Sequence, residues 1–406
     1  MRVLITAAQF SSDFSGLQRH AFNVARCLLK QPEISEVHFV VGPWQQQLVQ
    51  DAGLENMDRM VLHVAEMGRG LFARNHWYYH HLPKLVAKIQ PDIVHLSYPV
   101  PIDASSIRQP LVVTLHDLYP YEIPENFGFP KVIFNRMILR QCLSNVDAIA
   151  CVSNTTLLRM KEYLSPSFSK KACRIYNCVE PEPDCAEHSP LKGLASVPFL
   201  LTVSQHRKNK NIPLLLRSLH RLLREGQVAS DTKLVVVGIT GPETSYIERL
   251  AKELQVHQQV HFVRGLSESQ LQWCYRNCQV LVAPSETEGF GLPVAEALLA
   301  GCHVVCSDIP AFREIDEEHC RFVNLGSGAE EAFAKEIKAS LEQPFPLPIS
   351  LPKFSSTALG AQYMELYSVL VPSLQPQTND KKDQFWEHRT RKQICNPLAN
   401  GKELVP

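Results

Sequence analysis

Glu288 and Glu296, with seven residues between them, bracket the stretch of this chain best equipped for chemistry. The intervening residues are Gly289, Phe290, Gly291, Leu292, Pro293, Val294 and Ala295. Two glycines let the backbone turn with its amides exposed, Pro293 suits the first position of a helix, and Gly301 suits the residue just past its end. A strand closing at Ala283, a glycine loop and a helix N-terminus form the arrangement at which open α/β sheets bind ligands, because free amides and the helix dipole favour a phosphate. An anion is therefore predicted at residues 289–292. Two carboxylates beside a phosphate are unfavourable unless they accept hydrogen bonds from uncharged groups, and sugar and ribose hydroxyls are such groups. A plain strand, loop and helix with one capping and one solvated glutamate is the alternative.

A second cluster precedes it. Ser204, Gln205, His206, Arg207, Lys208, Asn209, Lys210 and Asn211 follow an apolar run and lead into a helical pattern, so cations stand where they could neutralise a departing diphosphate. A solvated basic turn is the competing reading. Near the start of the chain, Gly16 follows the first apolar run and permits close approach of backbone to a ligand. His116 closes a later run, where an imidazole can hydrogen-bond a hydroxyl or stabilise developing charge. In the loop beyond it, Tyr119, Tyr121 and Glu122 are expected to face an acceptor.

The segment from Glu288 to Glu296, with its glycines, proline and following Ala297, resembles the signature of family 4 glycosyltransferases of the GT-B fold. The similarity covers most of residues 1–370. It implies an α/β chain with two Rossmann-like, doubly wound parallel-sheet domains facing a central cleft, and a C-terminal helix closing the fold. It implies that Glu288 contacts the transferred sugar and Glu296 the nucleotide ribose, with the amides of Gly289, Phe290, Gly291 and Leu292 holding the diphosphate. Backbone around Arg264 and Leu266 would border the base. Gly16 and His116 would approach the donor from the first domain. The family's arginine and lysine pair maps to Arg207 and Lys210, with Lys208 and Asn209 a competing register, and Ser204 stands where relatives usually carry glycine. Retention of anomeric configuration is also implied.

Positioning these residues requires sheets. Apolar β-branched runs at 2–7, 37–41, 60–64, 92–96, 111–115 and 148–152 alternate with helical stretches, and a second set follows at 199–203, 233–238, 260–263, 279–283, 303–306 and 321–323. Runs apolar on both faces predict parallel strands covered by helices on each side. The expected organisation is a first domain over 1–180 on the acceptor side, a proline-rich linker over 181–197, a donor-side domain over 198–354, a closing helix over 355–371 and a disordered tail over 372–406. In the closing helix Leu359, Tyr363, Leu366 and Leu370 share one face.

Lys plus Arg equals Asp plus Glu at 41 each, which excludes the electrostatic footprint of a nucleic-acid binder. No apolar run reaches membrane-span length, and the start resembles a strand rather than a signal peptide. Twelve scattered cysteines fit reduced thiols in a cytoplasmic compartment. A zinc reading of Cys274 with Cys278, or Cys302 with Cys306, is weaker than packing. The chain contains no Asp-x-Asp, so no cofactor and no metal are expected. The expected partners are a nucleotide-sugar donor and a glycan or lipid-linked acceptor. Residues 69–81, with Arg69, Phe72, Arg74, Trp77, Tyr78 and Tyr79, form either a membrane- or acceptor-contacting patch at the inner face or a packing helix. A nucleotide-sugar epimerase or phosphorylase of the same fold, or a non-catalytic sugar-nucleotide binder, are the competing functions.

Overall fold

The computed structural model describes residues 1–9, 15–180 and 190–371. The tail over 372–406, most of the linker and residues 10–14 of the Gly16 loop lie outside the described residues. The chain divides into two compact units. The first comprises Met1–Glu122, Phe129–Cys178 and the segment from Lys353, and the second comprises Ile123–Gly128 and Val179–Pro352.

The first unit is built on seven parallel strands: β1 Arg2–Thr6, β2 Glu36–Val41, β3 Met60–Val64, β4 Ile93–Leu96, β5 Leu111–Leu115, β6 Ala148–Cys151 and β7 Ala172–Arg174. Their order is β3-β2-β1-β4-β5-β6-β7. The central strands are buried at nearly every position, as expected where helices cover both faces. β7 is not anticipated by the apolar pattern, because its three residues stand between Lys171 and the charged end of Arg174 itself. Helix Gly16–Leu29 follows β1 and opens on a reciprocal cap: Ser15 Oγ accepts from the Gln18 amide, while Gln18 Oε1 accepts from the Ser15 amide. The C-terminal helix, Ser356–Leu370, packs on it. Leu359, Tyr363, Leu366 and Leu370 are all buried, and a side chain at Gly360 would collide with the Cys27 carbonyl at 2.6 Å.

The second unit holds six parallel strands: β8 Phe199–Val203, β9 Lys233–Val237, β10 Val260–Val263, β11 Val280–Ala283, β12 His303–Ser307 and β13 Cys320–Val323, in the order β10-β9-β8-β11-β12-β13. Helix Ile212–Arg224 shows why its sequence folds here. Ile212, Leu215, Leu216, Leu219 and Leu222 repeat at helical spacing and are buried in the core with helix Ala329–Leu341, while Arg221 and Arg224 stay outward. Each buried leucine contributes about 1.5–3 kcal/mol, so Leu219→Ala is the single change best placed to loosen this face.

The described cysteines are all buried free thiols. Cys278 lies 3.0 Å from Cys302 Sγ to Sγ, which is neither pairing suggested by sequence spacing, and burial pushes the Cys274 thiol up to about 12. Among the described residues no group of three or more His, Cys, Asp or Glu is arranged to hold a metal ion.

Candidate functional site

In the second sheet the chain runs outward from β8 to β9 and β10, then returns to lay β11 on the other side of β8. Loops leaving the carboxyl ends of β8 and β11 therefore diverge onto opposite faces and leave a crevice between them, the topological switch point of an open α/β sheet. The β8 loop carries 204–211 and the β11 loop carries 284–291. The β8 loop also passes close over the end of β9, where a Cβ at Gly238 would fall 1.9 Å from the Ser204 carbonyl oxygen. A small cavity here is lined by Thr202, Ser204, Lys210, Ser285, Glu288 and Phe312 among others.

Lys210 Nζ lies 2.6 Å and 2.7 Å from the two Glu288 oxygens, and Ser285 Oγ donates to Oε1 at 2.8 Å. The pair is largely withdrawn from water, with side-chain exposures of 16% and 12%. Asn209, fully buried, ties the two loops: its carbonyl accepts from the Glu286 amide at 2.8 Å and its side chain donates to the Thr287 carbonyl at 3.2 Å. Asn209 is the structural tie, Lys208 is exposed near Glu125, and Lys210 is the cation that reaches the glutamate. Asn211 takes a left-handed conformation, φ 51°, to start helix Ile212–Arg224. Arg207 sits at the same turn, and its guanidinium makes no ion pair or hydrogen bond among the described residues.

The β11 loop ends at Gly291, φ 103°, which caps helix Leu292–Leu299. No other residue fits, since a Cβ there would also meet the Phe312 ring at 2.6 Å. Pro293 occupies the second helical position rather than the first. The Leu292 amide opens the first turn; Pro293 has no N–H, and the Val294 amide donates to the Gly291 carbonyl at 3.0 Å. Phe290 is buried, so its side chain is an anchor for the loop. Gly289 lies between Glu288 and this anchor. One helical turn on, Glu296 is buried and its Oε2 accepts from the Tyr275 hydroxyl at 2.7 Å. Arg264 is exposed at the end of β10, and the turn through Gly265, φ 64°, and Leu266 leads to helix Glu268–Asn277, which carries Tyr275.

In the first unit the switch point lies between β1 and β4. Gly16 opens the helix after β1, and His116 follows β5 with its Nε2 bonded to the Ser97 carbonyl at 2.8 Å, just past β4. His20 meets His116 edge to face, ring centres 4.6 Å apart. Thr114 Oγ1 bonds both His20 Nε2 at 3.2 Å and His95 Nε2 at 2.8 Å, while His20 Nδ1 reaches Asn177 and His95 Nδ1 reaches the Tyr367 hydroxyl. Burial drives all three imidazoles toward the neutral form, His116 to about 4 and His95 to about 3, with His20 also well below its ordinary value. A neutral His116 holding a carbonyl through Nε2–H keeps Nδ1 as an acceptor.

Two family models match the chain: "Glycosyltransferase Family 4" over residues 14–183 and "Glycosyl transferases group 1" over residues 192–354. The chain belongs to the family 4 glycosyltransferases. Among similar proteins of this family, the O-antigen chain mannosyltransferase RfbU of Salmonella typhimurium is 28% identical over 60% of this chain and 63% of its own length. The serotype-specific mannosyltransferase WbdA of Escherichia coli is 28% identical over 63% of this chain and 34% of its own length. The matched stretch thus spans less than two thirds of either relative. The Anabaena protein Alr3699/HepE, solved with UDP and glucose, shares the fold at TM-score 0.60 with 16% identity, over 96% of this chain and 99% of that one.

For this family member the structure brings Glu288 and Lys210 into contact and places Leu292 and Glu296 on the adjoining helix that Gly291 caps. Sequence reasoning missed Tyr275, Ser285, His20 and His95. It also expected Tyr119, Tyr121 and Glu122 to face an acceptor. Tyr119 is buried, Tyr121 lies under Arg136 and beside Tyr163, and Glu122 pairs with Arg159 at 3.1 Å.

Proposed function

We propose that the chain transfers a hexose, mannose before others, from a nucleoside diphosphate sugar to a glycan or lipid-linked acceptor in surface polysaccharide synthesis. The observation that carries this reading is the bidentate Lys210–Glu288 contact at the β8–β11 switch point, one residue run away from the Gly291 helix start. In the reaction the bond from the anomeric carbon to the diphosphate oxygen breaks and a bond to the acceptor oxygen forms. Lys210, Arg207 and the Leu292 amide offset the charge that gathers on the leaving diphosphate. Glu288 and Glu296 accept hydrogen bonds from sugar and ribose hydroxyls, and the diphosphate takes the acceptor proton on the same face, which retains configuration. His116 hydrogen-bonds a sugar hydroxyl. Arg264 and Leu266 border the base. No metal is required, because the basic side chains and the helix start fill the role of a metal clamp. The mannosyltransferase relatives favour mannose, and work on such acceptors suits a cytoplasmic enzyme at the inner membrane face.

The test is thermal stabilisation by GDP, UDP, GDP-mannose and UDP-glucose, followed by product analysis with the stabilising donor. A site ligand at one hundred times its Kd adds about 2.7 kcal/mol of stability. No stabilisation by any nucleotide, or stabilisation that survives Lys210→Ala with Glu288→Ala unchanged, would sink the reading.

A further inference from the structure

Two buried thiols of the second unit stand closer than sulfurs in simple van der Waals contact, Cys278 Sγ and Cys302 Sγ at 3.0 Å. Each is fixed by the end of a helix. Helix Glu268–Asn277 closes with the Cys278 amide donating to the Cys274 carbonyl at 2.9 Å, and the Cys278 thiol turns back toward the Tyr275 carbonyl at 3.5 Å. Helix Leu292–Leu299 closes at Gly301, φ 74°. There the Gly301 amide reaches the Leu298 carbonyl at 3.2 Å and the Cys302 amide reaches the Ala297 carbonyl at 2.9 Å, a Schellman end that sets the backbone of Cys302. A Cβ at Gly301 would meet the Pro346 carbonyl oxygen at 2.9 Å, so the turn is held from outside as well. Strand register brings the two ends together. Val280 pairs with His303 in the parallel β11–β12 ladder, so Cys302 stands beside residue 279, one position from Cys278.

These are the two helices that carry Tyr275 and Glu296. A bond between the sulfurs would close a covalent loop over residues 278–302, which contains β11, Glu288, Gly291 and Glu296. The sulfurs need to approach by only about 1 Å to reach bonding distance. Oxidation removes two protons and two electrons, and a peroxide can take both. One thiol loses its proton and its sulfur attacks a peroxide oxygen, which breaks the O–O bond, gives a sulfenic acid and releases one water. The partner sulfur then displaces the hydroxyl from the sulfenic acid, which forms the S–S bond and releases a second water. Burial first, and then the neighbouring Cys302, hold the Cys278 thiol well above its ordinary value, so thiolate is scarce and closure is slow. The same burial shields the finished bond from reductant. Cys306 also neighbours Cys320, but Cys306 stands opposite Phe322 in the β12–β13 ladder, which leaves Cys320 two positions off register.

We propose that Cys278 and Cys302 form a reversible disulfide latch, closed by peroxide and opened by a dithiol, that fastens the loop bearing Glu288 to the helix ends bearing Tyr275 and Glu296. The latch goes beyond the sugar-nucleotide reading, because the sulfur bond and its effect on stability are measured without nucleotide; failure of one leaves the other intact.

The experiment treats the reduced full chain with hydrogen peroxide in molar excess, blocks the remaining thiols, and maps the digest by mass spectrometry without reductant. A cross-linked peptide joining Cys278 to Cys302 is expected, lighter by two hydrogens than its separate parts. The melting temperature should rise by about 5 °C, because the closed loop constrains the unfolded chain, and should return to its starting value with dithiothreitol. Cys278→Ala and Cys302→Ala should each abolish the peroxide-dependent rise. That rise is a difference within one variant, so a lower starting stability of a variant does not hide the result. No 278–302 cross-link after peroxide, a 306–320 cross-link in its place, or sulfinic acid at Cys278 instead of the bond would overturn the proposal. So would a cross-link that leaves the melting temperature unchanged, or a rise that survives in both alanine variants.

Discussion

The Tyr275 hydroxyl donates a 2.7 Å hydrogen bond to Oε2 of Glu296 from a ring with no exposed surface. A carboxylate so held keeps one rotamer. Removing the hydroxyl costs one bond to a charged group, about 1.5–3 kcal/mol at most. Tyr275→Phe is therefore expected to keep the fold and weaken donor binding about tenfold, with kcat little changed. Calorimetric titration of the stabilising nucleotide measures it; parent affinity would show that Glu296 does not contact the ribose.

Lys210 and Glu288 predict a different pattern. Each neutralises the other in the free protein, so deleting one leaves a largely buried charge without its partner, which costs more than the pair contributes. Lys210→Ala and Glu288→Ala should each lower stability by about 1–3 kcal/mol and lower transfer at least about a hundredfold, as expected when an electrostatic contact to the leaving group is lost. Lys210→Ala combined with Glu288→Gln should recover much of the stability and none of the transfer. Urea unfolding beside single-turnover assays separates the two effects, and transfer at parent rate in either alanine variant contradicts the assigned roles.

The loop itself is fixed by sterics. Gly291→Ala forces a Cβ into the Phe312 ring at a backbone angle that disfavours side chains, and overpacking of this kind costs about 1–3 kcal/mol. Reduced urea midpoint and reduced nucleotide stabilisation are expected together. If Gly291→Ala binds nucleotide like the parent, the helix start is not where the diphosphate sits.

What sequence could show follows from how local each signal is. The strands were legible because runs such as 111–115 and 199–203 are largely apolar on both faces, and β7 was not, because three residues beside lysines carry no pattern. Glu288, Glu296, Gly291 and Pro293 were legible because loop and helix start are contiguous. Tyr275 reaches Glu296 from the helix that precedes β11, and His95 meets Tyr367 from 272 residues away, so only the folded sheet reveals those contacts. The register of the basic loop was undecidable locally, since Lys208 with Asn209 and Lys210 with Asn211 repeat the same dipeptide; in the fold Asn209 is buried beneath the β11 loop and Lys210 meets Glu288.

The histidine cluster sets a pH dependence whose sign can be worked out. His116 and His95 hold their protons only below about 4 and about 3 in the fold, against an ordinary value near 6.5 in the unfolded chain. Between those limits the unfolded state binds protons that the folded state refuses, so stability is complete above pH 6.5 and is lost as pH falls toward 4. Each such imidazole contributes a slope of about 1.4 kcal/mol per pH unit in that window. Urea unfolding at intervals from pH 7.5 to 5 should show stability dropping with acid, corresponding to uptake of more than one proton on unfolding. His95→Gln keeps a donor and an acceptor but cannot titrate, and it should remove about one proton from that uptake. A flat stability profile across this range, or an unchanged slope in His95→Gln, would mean that these rings are charged within the fold and that Thr114 does not bridge two neutral imidazoles.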